Sequence, residues 1–131
     1  MATDMVIELE RNEPGELARV AHALSDAGIN IAAITAEGAG HAADLHILVP
    51  HPEAVHHALA VVHSVSITRE REVVVVQCHD RPGELADLTG KAAAAGVNLD
   101  LVYIATGSRV VFGSDDIEGL RAALADVAFP K

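Results

Sequence analysis

The chain has 131 residues, enough for one ordinary domain or two small ones. Half of them are hydrophobic, which excludes a disordered chain, and no apolar run approaches the roughly 18 residues of a membrane helix. The formal charge of −10 opposes binding to a phosphate backbone, and Tyr103, Phe112 and Phe129 are too few for a base-stacking platform. Nucleic-acid and membrane partners are therefore not expected. Cys78 is the lone cysteine, so there is no disulfide framework and no four-ligand zinc site. The N-terminal "MATDMVIELE" lacks a basic region followed by an apolar one, so no signal peptide is expected, and the cytoplasm is the expected location.

In chain order, "DMVIELE" alternates, with Met5, Ile7 and Leu9 on one face, and predicts a strand. Pro14 suits the first turn of a helix whose apolar face is Leu17, Val20, Ala21, Leu24 and Ala27, and Gly28 stops it. "INIAAITAE" predicts a second strand, "GAGH" a turn, and Leu45, Ile47 and Val49 a third strand. Pro52 and Glu53 open a second helix through about Val62, and Val65 and Ile67 mark a closing strand. "SITREREVVVV" then runs without a linker into the next strand, "EVVVVQC". Pro82 to Ala95 predicts a helix and "VNLDLVYIA" a strand. "RVVFG" follows a turn at Thr106-Gly107-Ser108. Asp115 and Glu118 have capping-box spacing before the helix "IEGLRAALAD", and "VAF" is a short last strand.

The order is βαββαβ twice, and the sequence repeats with it. At an offset of 68, Pro14-Gly15-Glu16-Leu17-Ala18 falls on Pro82-Gly83-Glu84-Leu85-Ala86, and Ala27, Gly28 and Asn30 fall on Ala95, Gly96 and Asn98. This predicts two tandem units, residues 1–70 and 71–131, each a ferredoxin-like α/β sandwich (an α+β layer pair) with an antiparallel sheet and its helices on one face. Val73-Val74-Val75-Val76 is apolar on both faces of its strand, so the face of the second unit away from its helices should meet the other unit or another chain.

The repeated loop offers a niche. A helix start presents unpaired N–H groups suited to a carboxylate, Gly15 leaves the approach open, and Asn30 brings an amide with donors and an acceptor. Asn12 with Asn30, or Asp80 with Asn98, could hold a small zwitterion. The same residues also read as ordinary structure: Asn or Asp before Pro-Gly as a helix cap, and Gly-x-Asn as a helix-to-strand turn.

The βαββαβ order with "N/D-x-P-G-x-L" after the first strand and "G-[IV]-N-[IL]" entering the second resembles the ACT domain, over nearly the whole chain as a tandem pair. The resemblance implies a regulatory module that binds amino acids at interfaces between two such domains, with a homodimer and a metabolic enzyme as expected partners. It implies ligand contacts at Glu10, Asn12, Gly15 and Asn30 in the first unit and Cys78, Asp80, Gly83 and Asn98 in the second. Asn12 is neutral where Asp80 is charged, so the two sites should differ in affinity.

Other readings compete. Of eight histidines, His41, His46, His51, His56, His57 and His63 lie in the first unit and raise a metal-sensing alternative, but no tetrahedral set is visible. His46 should lie on the exposed sheet face. No catalytic residue, cofactor motif or phosphate loop stands out: Cys78 and His79 are strand neighbours that point apart, and no catalysis is expected. The remaining alternative is a ligand-free interaction module that dimerises or docks on a metabolic enzyme.

Overall fold

A computed structural model of the chain describes residues 2–127. The chain divides into two compact units, Thr3–Arg71 and Glu72–Lys131.

The first unit runs β1 (Ala2–Leu9), α1 (Glu16–Asp26), β2 (Ala33–Ala39), β3 (Ala42–Val49), α2 (Pro52–Leu59) and the first part of β4 (Val65–Gln77). Its strand order is β2-β3-β1-β4, with β3 antiparallel to both β1 and β2. Alternation sends Met5, Ile7, Leu9, Leu45, Ile47 and Val49 to one face, where they bury against Val20 and Leu24 of α1 and Val55, Ala58 and Leu59 of α2. Burying such side chains contributes roughly 1.5–3 kcal/mol each and is what holds the two helices on this face.

The second unit takes the end of β4, then α3 (Glu84–Ala94), β5 (Leu101–Ala105), β6 (Arg109–Gly113) and α4 (Ile117–Ala123). Its order is β4-β6-β5, again antiparallel. Val74, Val76, Val110 and Phe112 meet Leu88 and Ala92 of α3 and Leu120 and Leu124 at α4. Val73 and Val111 alternate away from that core and are buried as well, at 2% and 0% exposure. β4 is one uninterrupted strand of 13 residues that serves both units, so "SITREREVVVVQ" holds no linker.

Several sequence expectations need correction. "INIAAITAE" enters its strand only at Ala33, which leaves Asn30 in the preceding loop. The register gives the reason: Ala33 pairs with Leu48, so Ile31 would fall opposite Pro50, which has no N–H to share. Ile29 and Ile31 still pack on the core as an extended segment. β5 likewise starts at Leu101, after Asn98, because its partner β6 ends at Gly113.

Neither helix begins at its proline. Glu13-Pro14-Gly15-Glu16 is a turn in which the Glu16 N–H meets the Glu13 carbonyl at 3.3 Å and Gly15 has φ 92° and ψ −15°. That is a type II turn, with proline at its second position and glycine at the positive-φ third. Asn12 does not cap α1; Gly15 occupies the N-cap with no side-chain bond, and Gly83 does the same for α3. The buried stripe of α1 is Glu16, Val20 and Leu24, while Leu17 is 44% exposed and Ala21 and Ala27 are exposed. α2 ends at Leu59 rather than Val62. α4 is capped by Asp116, whose Oδ1 accepts the Gly119 N–H at 2.9 Å, in place of an Asp115–Glu118 box. In "VAF", Val127 lies in a bend and 128–129 lie outside the described residues.

Candidate functional site

In the first unit, the loop between β1 and α1 is pinned at several points. The Glu10 N–H donates to the Ser64 carbonyl at 2.9 Å, and the Asn12 N–H to the His41 carbonyl at 2.7 Å. The Asn12 side chain lies flat on Gly38 of β2, where a Cβ would approach its Nδ2 to 2.5 Å. Asn12 is thus drawn to the β2–β3 hairpin. Gly15 turns the chain into α1 and leaves the first N–H groups of the helix without a side-chain cap. The Asn30 side chain is exposed and makes no hydrogen bond to a described residue, so its amide is available to a ligand.

In the second unit the corresponding loop starts at the end of β4. The Cys78 N–H and Sγ both donate to the Ser108 carbonyl, at 3.0 and 3.1 Å. Burial pushes the Cys78 thiol up, and the carboxylates of Glu84 and Asp80 push it further. Asp80 is exposed, and its carboxylate makes no hydrogen bond to a described residue. Gly83, at φ 94°, copies Gly15. Asn98 is exposed, and its carbonyl accepts the Ser114 hydroxyl at 2.7 Å. At Cys78 the local field is therefore negative, although Arg81 of the same loop pairs with Glu84.

The repeated glutamate, absent from the sequence-based contact set, also belongs to this loop. Glu16 is buried, with Oε2 accepting the Ser64 hydroxyl at 2.8 Å and Oε1 accepting Arg19 Nη1 at 3.2 Å. Glu84 accepts the His79 N–H at 3.2 Å and pairs with Arg81 Nε at 3.1 Å. A buried carboxylate needs such partners, and a glutamate at the first turn of a helix is the signal that pointed to it.

Two of the concavities of the first unit include little of this loop. One of about 520 Å³ runs along α1 from Gly15 past Ala18 and His22 to Val61, and contains neither Asn12 nor Asn30. The other, about 340 Å³, is lined by Thr35, Glu37, Asp44 and His46 on the face of the sheet away from the helices. His46 is only half-exposed there, contrary to expectation, because its Nδ1 bonds Asp4 Oδ2 at 3.0 Å and Asp4 is fully buried. Of the other histidines, His56 pairs with Glu70. Among the described residues no group of three or more His, Cys, Asp or Glu is arranged to hold a metal ion. No helix among them is long and apolar enough to cross a membrane.

Comparison with known proteins bears on this geometry. An ACT domain is found at residues 4–66, the span of β1 to the start of β4. No curated protein matches the chain. Protein BT0572 from Bacteroides thetaiotaomicron is similar in structure, with a TM-score of 0.79 and 27% identity over 95% of this chain and 86% of that one. The regulatory subunit of aspartate kinase from Thermus thermophilus, in a ligand-free form, has a TM-score of 0.68 and 19% identity over 96% of this chain and 91% of that one. Aspartate kinase from Synechocystis has a TM-score of 0.64 and 18% identity over 99% of this chain and 27% of that one. The two kinase likenesses are likenesses of fold. The chain has an α+β fold of ACT type, with antiparallel strands and packed helices.

Proposed function

We propose that the chain is a non-catalytic, cytoplasmic regulatory protein built of two ACT-type units in tandem, divided near Arg71, that binds a small amino acid or related metabolite at its β1–α1 and β4–α3 loops. The observation that carries this reading is the duplicated turn. Gly15 and Gly83 adopt φ 92° and 94° at matching positions, each opening a helix start with no side-chain cap, and the repeated asparagines Asn30 and Asn98 are exposed in both units. The helix N–H groups would take the ligand carboxylate and the asparagine its ammonium. The first unit suits a zwitterion, because Asn12 is neutral and Arg19 offsets Glu16. The second, with the charged Asp80 where the first has neutral Asn12, is the weaker carboxylate site; Arg81 offsets Glu84 as Arg19 offsets Glu16.

By this reading the rest of each pocket comes from a facing unit or a second copy of the chain, and the signal passes to a metabolic enzyme by a change in packing. Such coupling requires the ligand to favour one packing state over another. Isothermal calorimetry on Asn30→Ala and Asn98→Ala tests the assignment. Asn30→Ala should lose binding of whichever amino acid the wild type takes, and unchanged affinity in both variants would remove these residues from the site.

A second reading, a ligand-free interaction module, draws on a different pair of observations. Leu17 and Leu85 are 44% and 49% exposed at matching positions, and so are Ile34 and Val102, at 45% and 43%. Apolar side chains exposed at equivalent places in both units suit a protein contact. A protein that dimerises through them yet responds to no amino acid would favour this reading.

A further inference from the structure

We propose that Glu16 is a positioning residue that, through Ser64, fixes the shape of the β1–α1 loop. This deepens the reading above and rests on it only for the identity of the loop as a ligand site.

Ser64 holds both ends of that loop. Its carbonyl accepts the Glu10 N–H at 2.9 Å where β1 ends, and its hydroxyl donates to Glu16 Oε2 at 2.8 Å where α1 begins. Ser64 is itself anchored, because Val65, the first residue of β4, packs on the core of the unit. Glu16 is 5% exposed, so its charge is tolerated only while its partners are in place: the Ser64 hydroxyl on one oxygen and Arg19 on the other. Between those two anchors the loop presents the turn at Gly15, with Asn12 held as well by its N–H on the His41 carbonyl.

The second unit closes its loop with the same repeated glutamate by a shorter route. Glu84 accepts the N–H of His79, within the loop itself, and its side chain is 18% exposed. Glu16 instead reaches across to a separate segment of its unit. The conserved role of the glutamate between the two copies is therefore loop closure, and the difference between them is what closes it. A helix-start carboxylate also lies favourably at the positive end of the helix dipole.

Amide hydrogen exchange on the ligand-free full chain tests the clamp. Ser64→Ala should speed exchange in peptides covering residues 10–15 by about tenfold or more, the scale of one lost hydrogen bond to a charged group. Peptides covering 80–84 and the strand cores at 5–9 and 45–49 should be unchanged. Glu16→Gln keeps an acceptor for Ser64 and should give a smaller increase, and Ser64→Thr, which keeps the hydroxyl, should restore the wild-type rate. Unchanged exchange at 10–15 in Ser64→Ala, or an equal increase throughout the first unit, would overturn the proposal.

A second arm separates the clamp from the ligand reading. Wild type and Ser64→Ala are each melted with the twenty standard amino acids at millimolar concentration. An amino acid that raises the wild-type Tm should raise that of Ser64→Ala by less, and an equal rise would count against Glu16 as a positioning residue. If none raises the wild-type Tm, the ligand reading fails while the exchange result still decides the clamp.

Discussion

Asn12 and Gly38 are in direct contact: a Cβ placed on Gly38 would stand 2.5 Å from Asn12 Nδ2. Gly38 is not at positive φ, so alanine fits its backbone, and the obstacle is the far end of one side chain. Gly38→Ala should therefore turn the Asn12 amide away at little cost, within about 1 kcal/mol of wild type in a urea melt. It should nonetheless weaken any amino-acid response of the first unit, read by calorimetry. A large loss of stability would mean that Asn12 cannot move.

Gly15 and Gly83 are constrained by backbone rather than by space, since neither has a heavy atom within 4 Å of an added Cβ. At φ 92° and 94° an L side chain is strained whatever the room. Gly15→Ala and Gly83→Ala should each cost about 1–3 kcal/mol. Denaturant midpoints would check this, and costs of similar size in the two variants are expected from their shared turn.

Cys78 should react slowly. Its thiol is raised by burial and then by Glu84 and Asp80, so the thiolate forms only at a pH above that of a free cysteine. The rate of alkylation against pH should show a raised midpoint, and Glu84→Gln should lower it. A group that holds its proton more tightly when folded contributes stability below its unfolded pKa, and that stability is lost as pH rises through the folded pKa. A midpoint at or below that of free cysteine would contradict this electrostatic picture of the loop.

At the start of α4, Asp116 and not Asp115 accepts the Gly119 N–H. Asp116→Ala should cost about 1 kcal/mol, and Asp115→Ala should stay within about 0.5 kcal/mol of wild type, both by thermal melt. The reverse order would restore the capping-box assignment.

The elements themselves were legible because alternation and helical spacing report the core directly: Met5, Ile7 and Leu9, and Val20 with Leu24, are buried as their periods require. Their ends were less so, because an end depends on a partner far along the chain. Asn30 falls outside β2 because Pro50 stands opposite Ile31 in the continued register, and no local signal near Asn30 carries that. Pro14-Gly15 in the sequence is compatible with a helix start or a turn, because proline serves both roles; only the φ of Gly15 separates them. For the candidate site, Asn12, Gly15 and Asn30 stood out by repetition. Ser64 and Gly38 did not, since each acts on the loop from a distant position in the chain. Leu17 looked like core by spacing, and the buried side of the helix turned out to be one residue away, at Glu16.

The central claim is that this fold senses a small amino acid, and the most direct measurement is the wild-type melting temperature against the twenty standard amino acids at millimolar concentration. A ligand that binds only the folded form raises its stability, by about 2.7 kcal/mol at a hundred times its Kd. One or a few amino acids should raise the Tm by several degrees, and Asn30→Ala should abolish the rise. A flat panel across all twenty would contradict the account and leave the exposed Leu17 and Leu85 positions, and a protein contact through them, as the better reading.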